Sequence, residues 1–160
     1  QDGAYRYPVA AQEISERLVA DDPSNFEAQR VLSYCYRDRG KSFLEMGDTS
    51  AALEFFEQYG EMSARLAEND QAGIQSRFDY ANSCELLGQI QLQLGNIQDA
   101  LELRLQSLEI TQQVVEDDPS NPSAQESLAF YYGVVGDMHL QLGDTDSALG
   151  CYLQKRDIRQ

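Results

Sequence analysis

Apolar residues along this chain recur at the three- and four-residue spacing of a helix face. Leu32, Tyr36, Phe43 and Leu44 form one stripe, Tyr80, Cys84, Leu87 and Leu92 a second, and Leu128, Tyr132, Val135 and Leu140 a third. Between them run Leu53, Phe56, Met62 and Leu66, and then Leu101, Leu105, Leu108, Ile110 and Val114. Strict alternation is absent, so the pattern argues against strands. The spacing predicts helices at about 4–20, 26–45, 49–67, 74–93, 97–116, 122–142 and 145–158.

The breaks between these stripes carry turn chemistry. Gly47, Gly95 and Gly143 stand where a helix ends in the left-handed conformation, and Asp48, Asn96 and Asp144 follow at once as expected N-caps. So short a connection makes the flanking helices antiparallel. Asp22-Pro23 and Asp118-Pro119 close other helices, because a residue before proline avoids the helical region. Asn121-Pro122 reads as an N-cap with proline at the first helical position, and Ser24 with Glu27 fits a capping box. Asn69-Asp70-Gln71-Ala72-Gly73 keeps turn chemistry without proline.

The punctuation is periodic. MGDTSAAL at 46–53, LGNIQDAL at 94–101 and LGDTDSAL at 142–149 lie 48 residues apart, and DDPSN recurs at 21–25 and 117–121, twice that distance. Two unrelated strings thus agree on one period. The units are 21–68, 69–116 and 117–160, and residues 1–20 align with the second half of a unit, Ala4 falling in register with Ala52, Ala100 and Ala148. A start at Gln1 without methionine is expected of a fragment of a longer protein.

These residues resemble tetratricopeptide repeats (TPR). That family's small residue in the first helix is matched by Gly40, Gly88 and Gly136, its next glycine by Gly47, Gly95 and Gly143, and its alanine by Ala52, Ala100 and Ala148. The aromatic four positions on is matched by Phe56 and Tyr152, whereas Arg104 departs from it. The period of 48 exceeds the family's usual ~34, so the resemblance is to a long-helix variant, the kind found as arrays in bacterial signalling proteins. It implies an all-α, right-handed superhelical solenoid of antiparallel helix hairpins, with first helices lining a concave face. Small residues would let paired helices approach closely, while Phe56, Leu105 and Leu128 would fill the space between units.

Composition narrows the chemistry. Lys plus Arg is 12 against 27 Asp plus Glu, a net charge of −15, which argues against nucleic acid and favours a basic partner. No apolar run approaches the ~18 residues of a membrane span. Cys35, Cys84 and Cys151 form no metal-binding spacing with the single His139, so no metal or cofactor is expected, and a reducing, cytoplasmic setting fits the thiols. His139 aligns with Gln91 and Phe43 and is read as a surface or groove residue. Cys84 aligns with Tyr36 and Tyr132 on the packed face, and Cys151 is expected nearer the surface; neither has a base partner. No nucleotide-binding or nucleophile-elbow string occurs, so an enzyme is not expected.

By the family resemblance, the concave groove would be lined by Tyr34, Arg37 and Lys41, by Asn82, Glu85 and Gln89, and by Phe130, Asp137 and Gln141. Aromatic and amide side chains there suit an extended peptide. The basic clamp of chaperone-binding members is mostly missing, because only Arg37 and Lys41 are cationic. The function implied is a non-catalytic module binding a peptide or protein segment. A structural or regulatory arm that packs on an effector domain, or self-associates through array ends, is the other reading. The last turn, with Lys155, Arg156 and Arg159, looks like a polar end cap, while Leu149, Tyr152 and Ile158 would leave an apolar stripe.

Overall fold

A computed structural model describes residues 6–69 and 73–158, and among them every regular element is helical. The helices are α1 (Arg6–Asp21), α2 (Phe26–Glu45), α3 (Thr49–Ala67), α4 (Gly73–Gln93), α5 (Ile97–Asp117), α6 (Pro122–Gln141) and α7 (Thr145–Ile158). These bounds follow the apolar spacing closely. Ala4, residues 70–72 of the middle turn and Arg159 lie outside the described residues. The chain divides into two compact units, residues 1–83 and 84–160, with the division falling inside α4.

The three glycine turns share one hydrogen-bond pattern. Gly47 N–H donates to Leu44 and Asp48 N–H to Phe43; the same pairs are Gly95 to Leu92 with Asn96 to Gln91, and Gly143 to Leu140 with Asp144 to His139. This pairing requires a left-handed residue at the glycine, where φ is +83°, +83° and +79°. The next residue then serves the following helix. Asp48 Oδ1 accepts from Ala51 N–H at 3.0 Å and Asp144 Oδ1 from Ser147 N–H at 3.1 Å. Asn96 does not cap with its side chain: its Nδ2 donates to Gln91 Oε1 at 2.7 Å instead. Asp48→Ala should therefore lower stability by about 1 kcal/mol and Asn96→Ala by a few tenths, as read from urea unfolding midpoints.

The two DDPSN turns are also alike. Ser24 and Ser120 each donate, through backbone N–H and hydroxyl, to the carboxylate of Asp22 and Asp118. Asn25 and Asn121 cap the following helices by accepting from Ala28 and Ala124. The capping box expected of Ser24 and Glu27 is thus corrected, because Asp22 holds the serine and Asn25 takes the N-cap.

Close approach within the hairpins depends on the expected small residues. A Cβ on Gly40 would lie 2.5 Å from the Phe56 ring, and one on Gly136 would lie 2.9 Å from the Tyr152 ring. Ala52, Ala100 and Ala148 are buried. Phe56 is fully buried with its ring against Gly40 of its own hairpin, and Leu128 is buried too, whereas Leu105, expected to fill space between units, is exposed. Leu140, read as part of a buried stripe, is exposed as well.

Much of the remaining packed surface is hydroxyl-bearing. Ser33, Ser63, Ser83, Ser107 and Thr111 are buried, and each donates to a carbonyl three or four residues earlier in its own helix. With that bond made, each behaves as a small residue, permitting close helix packing without an orphaned polar group.

Candidate functional site

In the first unit, Tyr34, Arg37, Lys41 and Asn82 stand on first-half helices. The Tyr34 hydroxyl donates to Asp79 Oδ2 at 2.9 Å, and the other Asp79 oxygen accepts from Gln75 Nε2 at 3.1 Å. Burial, then the Asp79 bond, pushes the Tyr34 phenol up to about 12, so it remains a donor at neutral pH. The Arg37 guanidinium lies 4.7 Å above the Tyr34 ring and donates to Asp38 at 3.0 Å. Lys41 is exposed. Asn82 is half-buried, and its Oδ1 accepts from the hydroxyl of fully buried Tyr59 at 3.4 Å. Tyr34 and Asn82 are therefore also parts of the packing.

In the second unit the named positions are Glu85, Gln89, Phe130, Asp137 and Gln141. Glu85 Oε1 accepts from Arg104 Nη2 at 3.2 Å, with only 15% and 12% of the two side chains exposed. Burial raises the Glu85 carboxyl, opposed by Arg104. Phe130 is 51% exposed and meets Tyr131 edge-on, with ring centroids 5.2 Å apart. The exposed Asp137 accepts from the Tyr152 hydroxyl at 2.6 Å. Gln89 and Gln141 are exposed.

Two members of these clusters were not apparent from the sequence. Asp79 looked like one more solvated carboxylate on a helix, and nothing in the pattern marks its burial. Arg104 did carry a signal, since it breaks the aromatic position of the repeat. Its aliphatic stem covers Gly88, where a Cβ would be 3.3 Å from Arg104 Cγ, and its head neutralises Glu85.

The groups weighed for chemistry are otherwise occupied. His139 Nδ1 lies 3.5 Å from Asp144 Oδ2, the carboxylate that also caps α7. Cys84 is buried, and Cys151 is half-buried rather than exposed. Burial, with Asp144 nearby, raises the Cys151 thiol, which favours its unreactive form. Among the described residues no group of three or more His, Cys, Asp or Glu could hold a metal ion, and no helix is long and apolar enough to cross a membrane.

No family model matches the chain, and no curated protein matches it. Similar solved structures include BtubC (BKLC) from P. vanneervenii, 16% identical over 96% of this chain and 88% of that one, with a TM-score of 0.44. Another is MamA 41-end from Desulfovibrio magneticus RS-1, 17% identical over 95% and 94%, with a TM-score of 0.32. A third is the DHF79 filament, 15% identical over 95% and 83%, with a TM-score of 0.40. At such scores these likenesses carry no functional argument.

Proposed function

We propose that the chain is a non-catalytic protein-interaction module that takes a peptide or protein segment along its first-half helices, in the concave groove that the TPR resemblance implies. The observation that carries this reading is Phe130, a large aromatic 51% exposed on α6. Exposing such a ring is unfavourable unless something covers it. Gln89, Asp137 and Gln141, also exposed on first-half helices, offer donors and acceptors suited to peptide backbone. The charge of −15 favours a basic segment and faster encounter with it at low salt.

The test is selection of a random peptide display library on the immobilised chain at physiological salt. An enriched motif whose affinity falls at least ~10-fold in Phe130→Ala is the expected result. Asn82→Ala is a poor probe, because it also alters a hydrogen bond of buried Tyr59. No enrichment from folded chain would favour the structural or regulatory arm. Exposed Leu149 and Leu153, one turn apart on α7, support that second reading. It predicts self-association or docking that Leu149→Asp abolishes in sedimentation velocity.

A further inference from the structure

The period of 48 residues aligns α5 with α3 position by position. The outer face of α3 carries Glu54, Glu57, Glu61 and Arg65, with Glu68 just beyond its end, and all five are exposed. In the chain α3 has α1 and α2 before it and α4 after it, so this is a face that neighbouring repeats leave uncovered. One period on, α5 keeps three of the acids as Glu102, Glu109 and Glu116, which are also exposed. It departs from α3 elsewhere on that face. Leu105 replaces Glu57, Gln113 replaces Arg65, and Ile97 stands where α3 begins with Thr49. Ile97 and Leu105 are 43% and 40% exposed. The only cation on α5, Arg104, is turned inward to Glu85. The outer side of α5 therefore combines three acids with two uncovered aliphatic side chains and has no cation of its own, where α3 shows a mixed-charge surface.

We infer that this side of α5 is a docking site for a basic amphipathic helix of a partner protein. The acids set the sign of the occupant, because they lack on α5 the countercharge that Arg65 supplies on α3. The spacing sets its form. Glu102, Glu109 and Glu116 recur every seven residues, and a helix lying alongside matches them with Lys or Arg at its own seven-residue intervals, as flanking charges pair along a coiled coil. Ile97 and Leu105 are eight residues apart, which is about 12 Å along a helix axis, so aliphatic residues two turns apart on the partner helix meet both. Covering the two removes apolar surface from water, which is favourable. A second copy does not meet these terms, since its own α5 presents the same three acids and like charges oppose the pairing.

The site lies on a second-half helix, separate from the first-half faces proposed above, and its test is independent of them. The probe is a fluorescein-labelled amphipathic helical peptide of leucine and lysine, with its leucines on one face. It is titrated with the full 160-residue chain at about 0.15 M salt, where weak surface attraction is screened. Leu105→Glu restores the residue of α3 and should weaken binding roughly tenfold, although it adds a negative charge. Glu109→Lys should weaken it as well. Glu61→Lys, the same charge change on α3, and Phe130→Ala should leave it unchanged. All four positions are exposed, so the variants should keep the helical circular dichroism of the parent. A control peptide with glutamate in place of lysine should not bind. Binding that Leu105→Glu leaves equal or strengthens would mean that net charge alone attracts the peptide, and overturns the proposal. So does an absence of binding, or equal losses from Glu61→Lys and Glu109→Lys. A dimer in sedimentation velocity that Leu105→Glu dissolves also overturns it, by assigning the face to a second copy.

Discussion

Replacing Arg104 with alanine should destabilise the fold by about 3–5 kcal/mol, far more than a surface arginine would. In the equivalent positions Phe56 and Tyr152 lay a ring on the hairpin glycine. Arg104 covers Gly88 with its stem and carries its charge to Glu85, where both side chains are largely removed from water. Deleting the arginine leaves that carboxylate buried without its counter-charge. The pair is not well served even when intact, since Glu85 Oε2 and Arg104 Nε have no hydrogen-bond partner. Replacing both together, as Glu85→Leu with Arg104→Phe, restores the aromatic pattern and should be neutral or stabilising by about 1–4 kcal/mol. Urea unfolding of the two single variants and the double variant decides the matter. A cost below about 0.5 kcal/mol for Arg104→Ala would show the pair to be energetically idle.

The same variant should respond to pH. Burial raises the Glu85 carboxyl in the folded state, so its protonated form is the one folding favours. That contribution is fully present below the ordinary carboxyl value of about 4.3 and is lost as pH rises through the higher folded value. Without Arg104 the folded value rises further. The deficit of Arg104→Ala relative to the parent should therefore shrink as pH falls from about 7 toward 4.

The second large effect is expected at Phe56. Its ring is fully buried against Gly40, so Phe56→Ala removes an aromatic core group and should cost about 3–5 kcal/mol. Tyr152→Ala, at the equivalent place on α7, should cost less, because Tyr152 is only half-buried and its hydroxyl bonds the exposed Asp137. The glycines beneath should follow the same order. Gly40→Ala puts a methyl group into a ring that cannot move and should destabilise by about 1–3 kcal/mol. Gly136→Ala meets the edge of a half-exposed ring, and the better helix propensity of alanine offsets most of its cost. Equal costs at Phe56 and Tyr152 would mean that the two hairpins are packed alike, against this structure.

What the sequence alone determined is the local order. Turn glycines, Asp and Asn caps and helical apolar spacing act within a few residues, so helix limits and hairpins could be read from spacing, while the close-packing glycines were implied by the tetratricopeptide resemblance. The repeat added a second, independent constraint at 48-residue steps. Tertiary structure decided which polar residues are interior. Asp79 and Glu85 look like the other carboxylates of an acidic chain, and Ser63 and Thr111 look like surface hydroxyls, until a helix distant in sequence covers them. Burial is a property of what lies opposite, and a helical stripe does not name its partner. For that reason Leu105 and Leu140 belong to apolar stripes yet face solvent, while Tyr34 and Asn82, placed in a groove, also hold buried partners.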